Sequence, residues 1–309
     1  MHRRAFLKSI GMALPAVAIA NQLPAAAGYQ PVQTSEADWQ PVADALGRTG
    51  TLNGGTVYRV GFPRRDLTVI SYGIHVAAGL SLGGYAAFAR YGDGQTMAMG
   101  DLVLLESEVP PVMAKLESMG VELTALHNHL QHESPAVMYL HIQAQGDPVK
   151  IAGAVRAALT LTQTPSAPPP APGGAGPGLD TTRLAAALGY AGKVTGGVYQ
   201  VSVPRAEPVR MAGVEIPPAM GVATALNFQP TDRGKAAITG DFVLTADEVN
   251  PVIKALRAGG IAVTALHSHM LGEEPRLYLM HFWANDDAVG LARTLHQALG
   301  HTKVRAPGV

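Results

Sequence analysis

The sequence predicts an α+β fold made twice in tandem, each copy a domain built on a mixed β-sheet. The first observation is an internal match. Shifting the chain by 140 positions aligns Gly100–His141 with Gly240–His281 without a gap, and 18 of these 42 positions are identical. The match continues upstream with small gaps, from Val57-Tyr58 to Val198-Tyr199, Pro63-Arg64 to Pro204-Arg205 and Ala45-Leu46-Gly47 to Ala187-Leu188-Gly189. The second is a segment at 162–178 made almost wholly of Pro, Ala, Gly, Ser and Thr, which reads as a linker. The third is that β-rich runs and capped helical segments alternate in the same order on both sides of it. Residues 36–161 and 179–309 are therefore expected to be two repeat domains.

Within each copy a short helix (Val42–Leu46; Leu184–Leu188) leads into β-rich stretches such as Gly55–Phe62 and Thr68–Val76. A strand at Asp101–Leu105 precedes a helix opened by Ser107 or Thr245, with Pro111 and Pro251 expected in its first turn. Val112, Leu116 and Met119, or Val252 and Leu256, form its apolar stripe, and Gly120 or Gly260 stops it. Next comes a strand (Val121–Leu130; Ile261–Met270), a turn and a returning strand (Val137–Gln143; Leu277–Trp283). A last helix runs from Asp147 or Asp286 to about Leu161 or Leu299. The second half of each copy is thus expected in the order β-α-β-β-α.

The chain has 309 residues, 47% hydrophobic and 15% charged, which is enough to build two packed cores. Its 23 basic and 23 acidic residues balance, so charge gives no ground for nucleic acid or an anionic membrane as partner. No cysteine is present, which excludes disulfides, thiolate metal sites, catalytic thiols and lipidation on Cys. Residues 1–27 read as an export leader. Arg3-Arg4-Ala5-Phe6-Leu7-Lys8 precedes an apolar run from Ile10 to Ala20, and Ala25-Ala26-Ala27 offers a cleavage site. The Arg-Arg-x-Phe-Leu-Lys string resembles a twin-arginine signal, which implies a periplasmic or secreted protein without a stable membrane anchor after cleavage. Loss of Arg3, Arg4 and Lys8 leaves a formal charge of 20 − 23 = −3.

The chemistry concentrates in the hairpin. Copy one carries His127-Asn-His129, then Glu133, Pro135 and His141; copy two carries His267-Ser-His269, then Glu273, Pro275 and His281. Strand side chains alternate faces, so both histidines of each His-x-His pair project on one side. A symmetric turn about position 134 or 274 sets His141 opposite His127 and His281 opposite His267. Three imidazoles then converge on a divalent transition metal, Zn²⁺ first, with Fe, Cu or Ni also suited to imidazole. Glu133 and Glu273 are the candidate catalytic residues, each a general base for metal-bound water or a fourth ligand. Asp101 and Asp241 are the second choice of carboxylate partner. His75 and Glu215 are weaker candidates, and His132, aligned with Gly272, reads as a turn residue.

Gly240-Asp-Phe-Val-Leu244, Asp247-Glu-Val-Asn-Pro-Val252, Thr264-Ala-Leu-His-Ser-His-Met270, Glu273-Glu-Pro-Arg276 and His281-Phe-Trp283 resemble the LppY/LpqO family of secreted bacterial proteins. That resemblance implies a domain of unknown function in two copies over nearly all of the chain beyond the leader, and no activity. His127-Asn-His129-x-x-x-Glu133 and His267-Ser-His269-x-x-x-Glu273 are also similar to the first motif of metal cupins. The third His, eight residues after the Glu, and the helix ahead of the strand depart from a cupin barrel. The function expected is a secreted metal-binding protein, with a metal-dependent hydrolase as one form of it. A non-catalytic cell-envelope or metal-handling module is the alternative, and a metal-free scaffold holding a small polar ligand between its halves is a third.

Overall fold

The computed structural model describes residues 30–166 and 178–307. The leader expected at 1–27 and the Pro/Gly-rich stretch 167–177 of the linker lie outside them. Repeat one comprises α1 (Gln40–Leu46), β1 (Thr51–Asn53), β2 (Val57–Pro63), β3 (Val69–Ser71), β4 (Ile74–Val76), β5 (Gly83–Arg90), β6 (Thr96–Leu105), α2 (Val109–Ser118), β7 (Glu122–His127), β8 (Glu133–Ser134), β9 (Val137–Gly146) and α3 (Pro148–Leu159). Repeat two follows with α4 (Thr181–Leu188), β10 (Lys193–Thr195), β11 (Val198–Pro204), β12 (Val209–Met211), β13 (Val214–Ile216) and β14 (Ala223–Pro230). It closes with β15 (Lys235–Leu244), α5 (Ala246–Ala258), β16 (Ala262–His267), β17 (Glu273–Glu274), β18 (Tyr278–Asp287) and α6 (Ala288–Leu299). The second half of each copy is β-α-β-β-β-α, not β-α-β-β-α, because the two-residue strand inside the expected turn leaves for a different sheet.

Each repeat forms a six-stranded antiparallel sheet, in the order β1-β2-β5-β6-β9-β7 or β10-β11-β14-β15-β18-β16. Small three-stranded sheets, β4-β3-β8 and β13-β12-β17, stand beside them. The β-rich stretch Thr68–Val76 is a tight hairpin, since Tyr72 and Gly73 take φ of 49° and 77° between β3 and β4. Local signals set the helix ends. Gly47 in the left-handed region stops α1, and the Asp147 carboxylate accepts from the amides of Val149 and Lys150 at the start of α3. Thr245 caps α5 as expected, but Pro251 falls inside that helix and not in its first turn. The cap of α6 is Asp287, one residue past the Asp286 expected.

One face of each large sheet carries the helices. Phe88, Leu102, Leu104, Leu140 and Ile142 pack with Val112, Leu116 and Val155 in repeat one, and Phe228, Phe242, Phe282 pack with Leu256 and Leu295 in repeat two. The opposite face of each sheet meets the other repeat. Ala87, Ala89, Met97 and Met99 share a core with Met211, Val243, Met270 and Leu279, while Val103, Leu130 and Tyr139 share another with Val198, Ala237 and Trp283. The result is four layers, helices, sheet, sheet, helices. Covering on both faces explains why nine of the ten residues of β6 are buried, whereas the edge strand β7 has none that is fully buried.

A buried arginine ties the helical layer to each sheet. Arg64 donates to the Val103 carbonyl at 2.9 Å and to Glu108 Oε2 at 2.6 Å; Arg205 does the same with Val243 at 2.8 Å and Glu248 at 2.7 Å. Glu108 and Glu248 also accept the amides of Leu105 and Thr245, which fixes where the chain turns into α2 and α5.

Candidate metal centre

Both His-x-His motifs sit where an edge strand runs out. β7 ends at His127 and β16 at His267; the chain then leaves the sheet so that β8 pairs with β3 and β17 with β12. Leu130 and Met270, each 1% exposed, anchor the departing loops in the two cores shared between the repeats. His129 and His269 are thereby drawn inward. The strand register differs from the symmetric turn. His127 stands opposite Tyr139 and His141 opposite Ala125; in repeat two His267 faces Leu279 and His281 faces Ala265. The displacement is two residues, since the intervening chain carries its own strand, and a bulge at Thr124 or Thr264 shifts the pairing further along. An even displacement keeps every side chain on its expected face.

Asp101 lies directly opposite His141 on the adjacent strand, and Asp241 opposite His281. These faces are the ones turned toward the other repeat, so the two clusters meet. Ring centroids of His127 and His267 are 3.6 Å apart, those of His141 and His269 3.6 Å, and those of His129 and His281 3.8 Å. Exchanging the repeats maps the first pair onto itself and interchanges the other two. A pseudo-two-fold axis therefore passes between His127 and His267, and the six imidazoles form one centre.

Carboxylates complete the centre unequally. Asp101 Oδ1 is 3.8 Å from His141 Nε2 and its Oδ2 is 4.0 Å from His129 Nε2. Asp241 Oδ1 instead lies 2.9 Å from His281 Nδ1, which is equally close to the Gly240 carbonyl; the carbonyl is the better-aligned acceptor. That contact leaves His281 Nε2 pointing into the centre, as a carboxylate does for a ligating histidine. The Nε2 atoms of all six histidines, and one oxygen each of Asp101 and Asp241, are buried without any hydrogen-bond partner. Buried polar atoms are almost always paired, so this many orphans in one place fits an ion. Ligand atoms within 4.8 Å of one another include the sets Asp241/His267/His269/His281, Asp101/His129/His141, His127/His141/His267/His269 and His127/His129/His281. These buried groups could hold a metal ion.

The protonation states suit coordination. Burial, followed by the charge of neighbouring imidazoles, lowers His127 to about 4 and His267 to about 3, and holds His129, His141 and His269 well below the ordinary value. Burial would also lower His281, but the charge and contact of Asp241 outweigh it and raise the imidazole. Burial and then the Asp241 charge push Asp101 up to about 7. At neutral pH the free centre therefore holds five neutral imidazoles and one His281–Asp241 pair.

Glu133 and Glu273 are not among these groups. Glu133 Oε1 accepts the Val137 amide at 3.2 Å, and Glu273 Oε1 accepts the Leu277 amide at 2.9 Å while its other oxygen meets Arg276 at 3.2 Å. They brace the turn into β9 and β18, and the carboxylates that stand with the histidines are Asp101 and Asp241. His75 offers only its backbone carbonyl to Gln229, and Glu215 likewise stands outside the centre. His132 is in the turn with φ of 51°, against the Tyr72 ring. Three neighbours had no signal in the motif. Tyr139 stacks on His129 at 3.3 Å between centroids, Tyr85 lies opposite Asp101, and Arg59 lies over Tyr85. The equivalent positions in repeat two are Leu279, Ala225 and Gln200, so alignment of the repeats conceals them.

Comparison with known proteins gives a family and no activity. No curated protein matches the sequence. Among solved structures, the chain is similar to the trimeric bacterial microcompartment shell protein PduB, at 14% identity and a TM-score of 0.21, over 80% of this chain and 86% of that one. It is also similar to EtuB from Clostridium kluyveri, at 12% identity and a TM-score of 0.19, over 82% and 90% of the two chains. Overlaps of that size establish no shared architecture. The family model described as Domain of Unknown Function (DUF1259) matches residues 40–161 and again 182–301, one match on each repeat. The chain thus belongs, twice over, to the DUF1259 domain family.

Proposed function

We propose that this chain is an exported protein of LppY/LpqO type whose two repeats close on a shared metal centre. In this reading each repeat supplies three imidazoles and a carboxylate: His127, His129, His141 and Asp101 from the first, His267, His269, His281 and Asp241 from the second. In repeat two all four ligand atoms lie within 4.8 Å of one another, whereas in repeat one only Asp101, His129 and His141 do, and His127 groups with His141, His267 and His269. One ion would thus have four nitrogen and oxygen ligands and the other three, sets that suit Zn²⁺. The observation that carries the reading is the convergence of six unpartnered, buried Nε2 atoms across the pseudo-two-fold axis. Export through the twin-arginine route accords with it, because that route moves folded proteins with their cofactors in place.

Four protein ligands to the repeat-two ion favour a metal-handling or structural role in the cell envelope. A metal-dependent hydrolase is the second reading, on the observation that the repeat-one set of Asp101, His129 and His141 supplies three ligands and so would leave a fourth position. Glu273 has both oxygens engaged, with Arg276 and the Leu277 amide, whereas Glu133 keeps Oε2 buried and unpartnered and is pushed up by burial to about 7, which suits a general base. The deciding experiment is elemental analysis of protein purified after export by its own leader. Up to two equivalents of zinc per chain are expected, with loss from both half-sites in His269→Ala, because its ring stacks on His141 of the other repeat. Protein that carries no metal, and takes none up from a zinc-buffered solution, would overturn the reading.

A further inference from the structure

The pseudo-symmetry of the centre is broken by polar groups on one side. Arg59 and Tyr85 face it from repeat one, where repeat two has Gln200 and Ala225. Arg59 and Gln200 perform one task in common. Arg59 Nη1 donates to the Ala219 carbonyl at 2.8 Å and Gln200 Nε2 to the Gly79 carbonyl at 2.8 Å, each reaching the opposite repeat at matched positions (79 + 140 = 219). A neutral amide suffices for that bond in repeat two, so the bond does not require the guanidinium in repeat one.

What the guanidinium adds is charge at the centre. Its Cζ lies 3.4 Å over the Tyr85 ring, and Tyr85 stands directly opposite Asp101. Arg59 acts on the Asp101 carboxyl through its field. Tyr91 and Tyr139 give their hydroxyl protons to the carbonyls of Glu215 and Ser81, whereas the polar neighbour of the Tyr85 hydroxyl is Arg59, itself a donor. The Tyr85 hydroxyl reaches over Gly221 of repeat two, where any side chain would collide with it. Burial pushes this phenol up to about 12, so it is a neutral donor at neutral pH.

Charge counting then points one way. Once an ion has displaced the protons of Asp101 and His281, all six histidines are neutral, Asp101 and Asp241 supply −2 and Arg59 +1. One divalent ion makes the sum −2 + 1 + 2 = +1, and two make it +3. An uncompensated charge in a buried place is costly, and an anion relieves it. We propose that the metal-loaded centre binds an oxyanion, a phosphate or carboxylate group, on its repeat-one side. One oxygen faces the metal, and the others accept hydrogen bonds from Arg59 and the Tyr85 hydroxyl. Arginine's planar fork and a phenolic proton are suited to such a group. The inference rests on the metal reading above and adds to it the chemical class of ligand.

The test uses the full chain loaded with zinc and freed of excess metal, titrated calorimetrically with inorganic phosphate and separately with acetate. Wild type, Arg59→Gln, Tyr85→Phe and Gln200→Ala are compared, with metal content measured on each sample. Arg59→Gln installs the residue that repeat two already uses for the same interrepeat bond, so the fold is retained. The expected result is saturable binding of at least one anion by wild type and Gln200→Ala. Affinity falls about tenfold or more in Arg59→Gln and about threefold in Tyr85→Phe, as for one lost charged and one lost neutral hydrogen bond. Tighter binding of phosphate than of acetate, or the reverse, identifies the oxyanion. Equal affinities in all four proteins with metal retained, or no binding of either anion by the metal-loaded wild type, overturn the oxyanion site and leave the metal centre standing. Wild type that holds no zinc overturns both.

Discussion

Acidification from pH 7.5 to 5.5 should destabilise the metal-free protein strongly, and the size follows from the centre. An imidazole whose folded pKa lies well below the ordinary value gains no proton in the folded state over this range, while the unfolded chain titrates at about 6.5. Each such group makes folding less favourable by 2.303RT per pH unit below that value, or about 1.4 kcal/mol over this interval. His127, His129, His141, His267 and His269 are all of this kind. Together they give a loss of about 7 kcal/mol if they act independently. Three groups oppose it. Asp101 is raised to about 7, so its contribution is present at low pH and is lost as pH rises through 7; acidification restores about 2 kcal/mol. Glu133, also raised by burial to about 7, and the raised His281 act in the same sense, Glu133 by less because it is partly exposed. The net is a loss of roughly 3–5 kcal/mol, a large part of the whole stability of many domains.

Metal changes this dependence in a way that can be measured. Bound zinc at a hundredfold excess over its Kd adds about 2.7 kcal/mol to the native state. Asp101 and His281, the two groups of the centre with a raised affinity for protons, must lose them to the ion, so that increment shrinks as the pH falls. Thermal melts at pH 7.5, 6.5 and 5.5, with zinc and with chelator, should show two features. The chelated protein melts lower at each step down in pH, and the difference between zinc and chelator is largest at pH 7.5 and nearly gone at 5.5. A chelated protein whose melting temperature is unchanged between pH 7.5 and 5.5 would refute the argument from buried neutral imidazoles. Identical melts with zinc and chelator at pH 7.5 would refute coordination.

Other perturbations separate support from chemistry. Glu273→Ala removes the acceptor of the Leu277 amide and should destabilise repeat two by about 1–3 kcal/mol, with metal content by elemental analysis unchanged. Arg205→Ala leaves Glu248 buried without its partner and should lower stability in urea by about 3–5 kcal/mol, and Arg64→Ala should do the same through Glu108. Asp241→Asn removes an anionic ligand and weakens the hold on His281, and should reduce zinc affinity about 10–100-fold or more in a competition titration. Proteolysis within 167–177 should leave two fragments that still elute together from a sizing column, since two apolar cores are shared between the repeats.

The reason the fragments should stay together also marks the limit of what the sequence made legible. The duplication was visible as identity, and the helix ends followed from Thr245, Asp147 and Gly120, whose effects are local. The face shared by the two histidines of each His-x-His pair followed from the two-residue period of a strand, which survived a register displaced by two. The pairing of the half-sites could not be read this way, because it depends on which sheet face each repeat buries against the other. A signal for it was nonetheless present. Along β6, Met97, Met99 and Val103 are as apolar as Ala98, Leu102 and Leu104, yet the repeat's own helices cover only the second set. A strand that is apolar on both faces, in a copy whose helices pack on one, needs a second cover. In a tandem duplication the nearest cover is the other copy, and the histidines sit on that face.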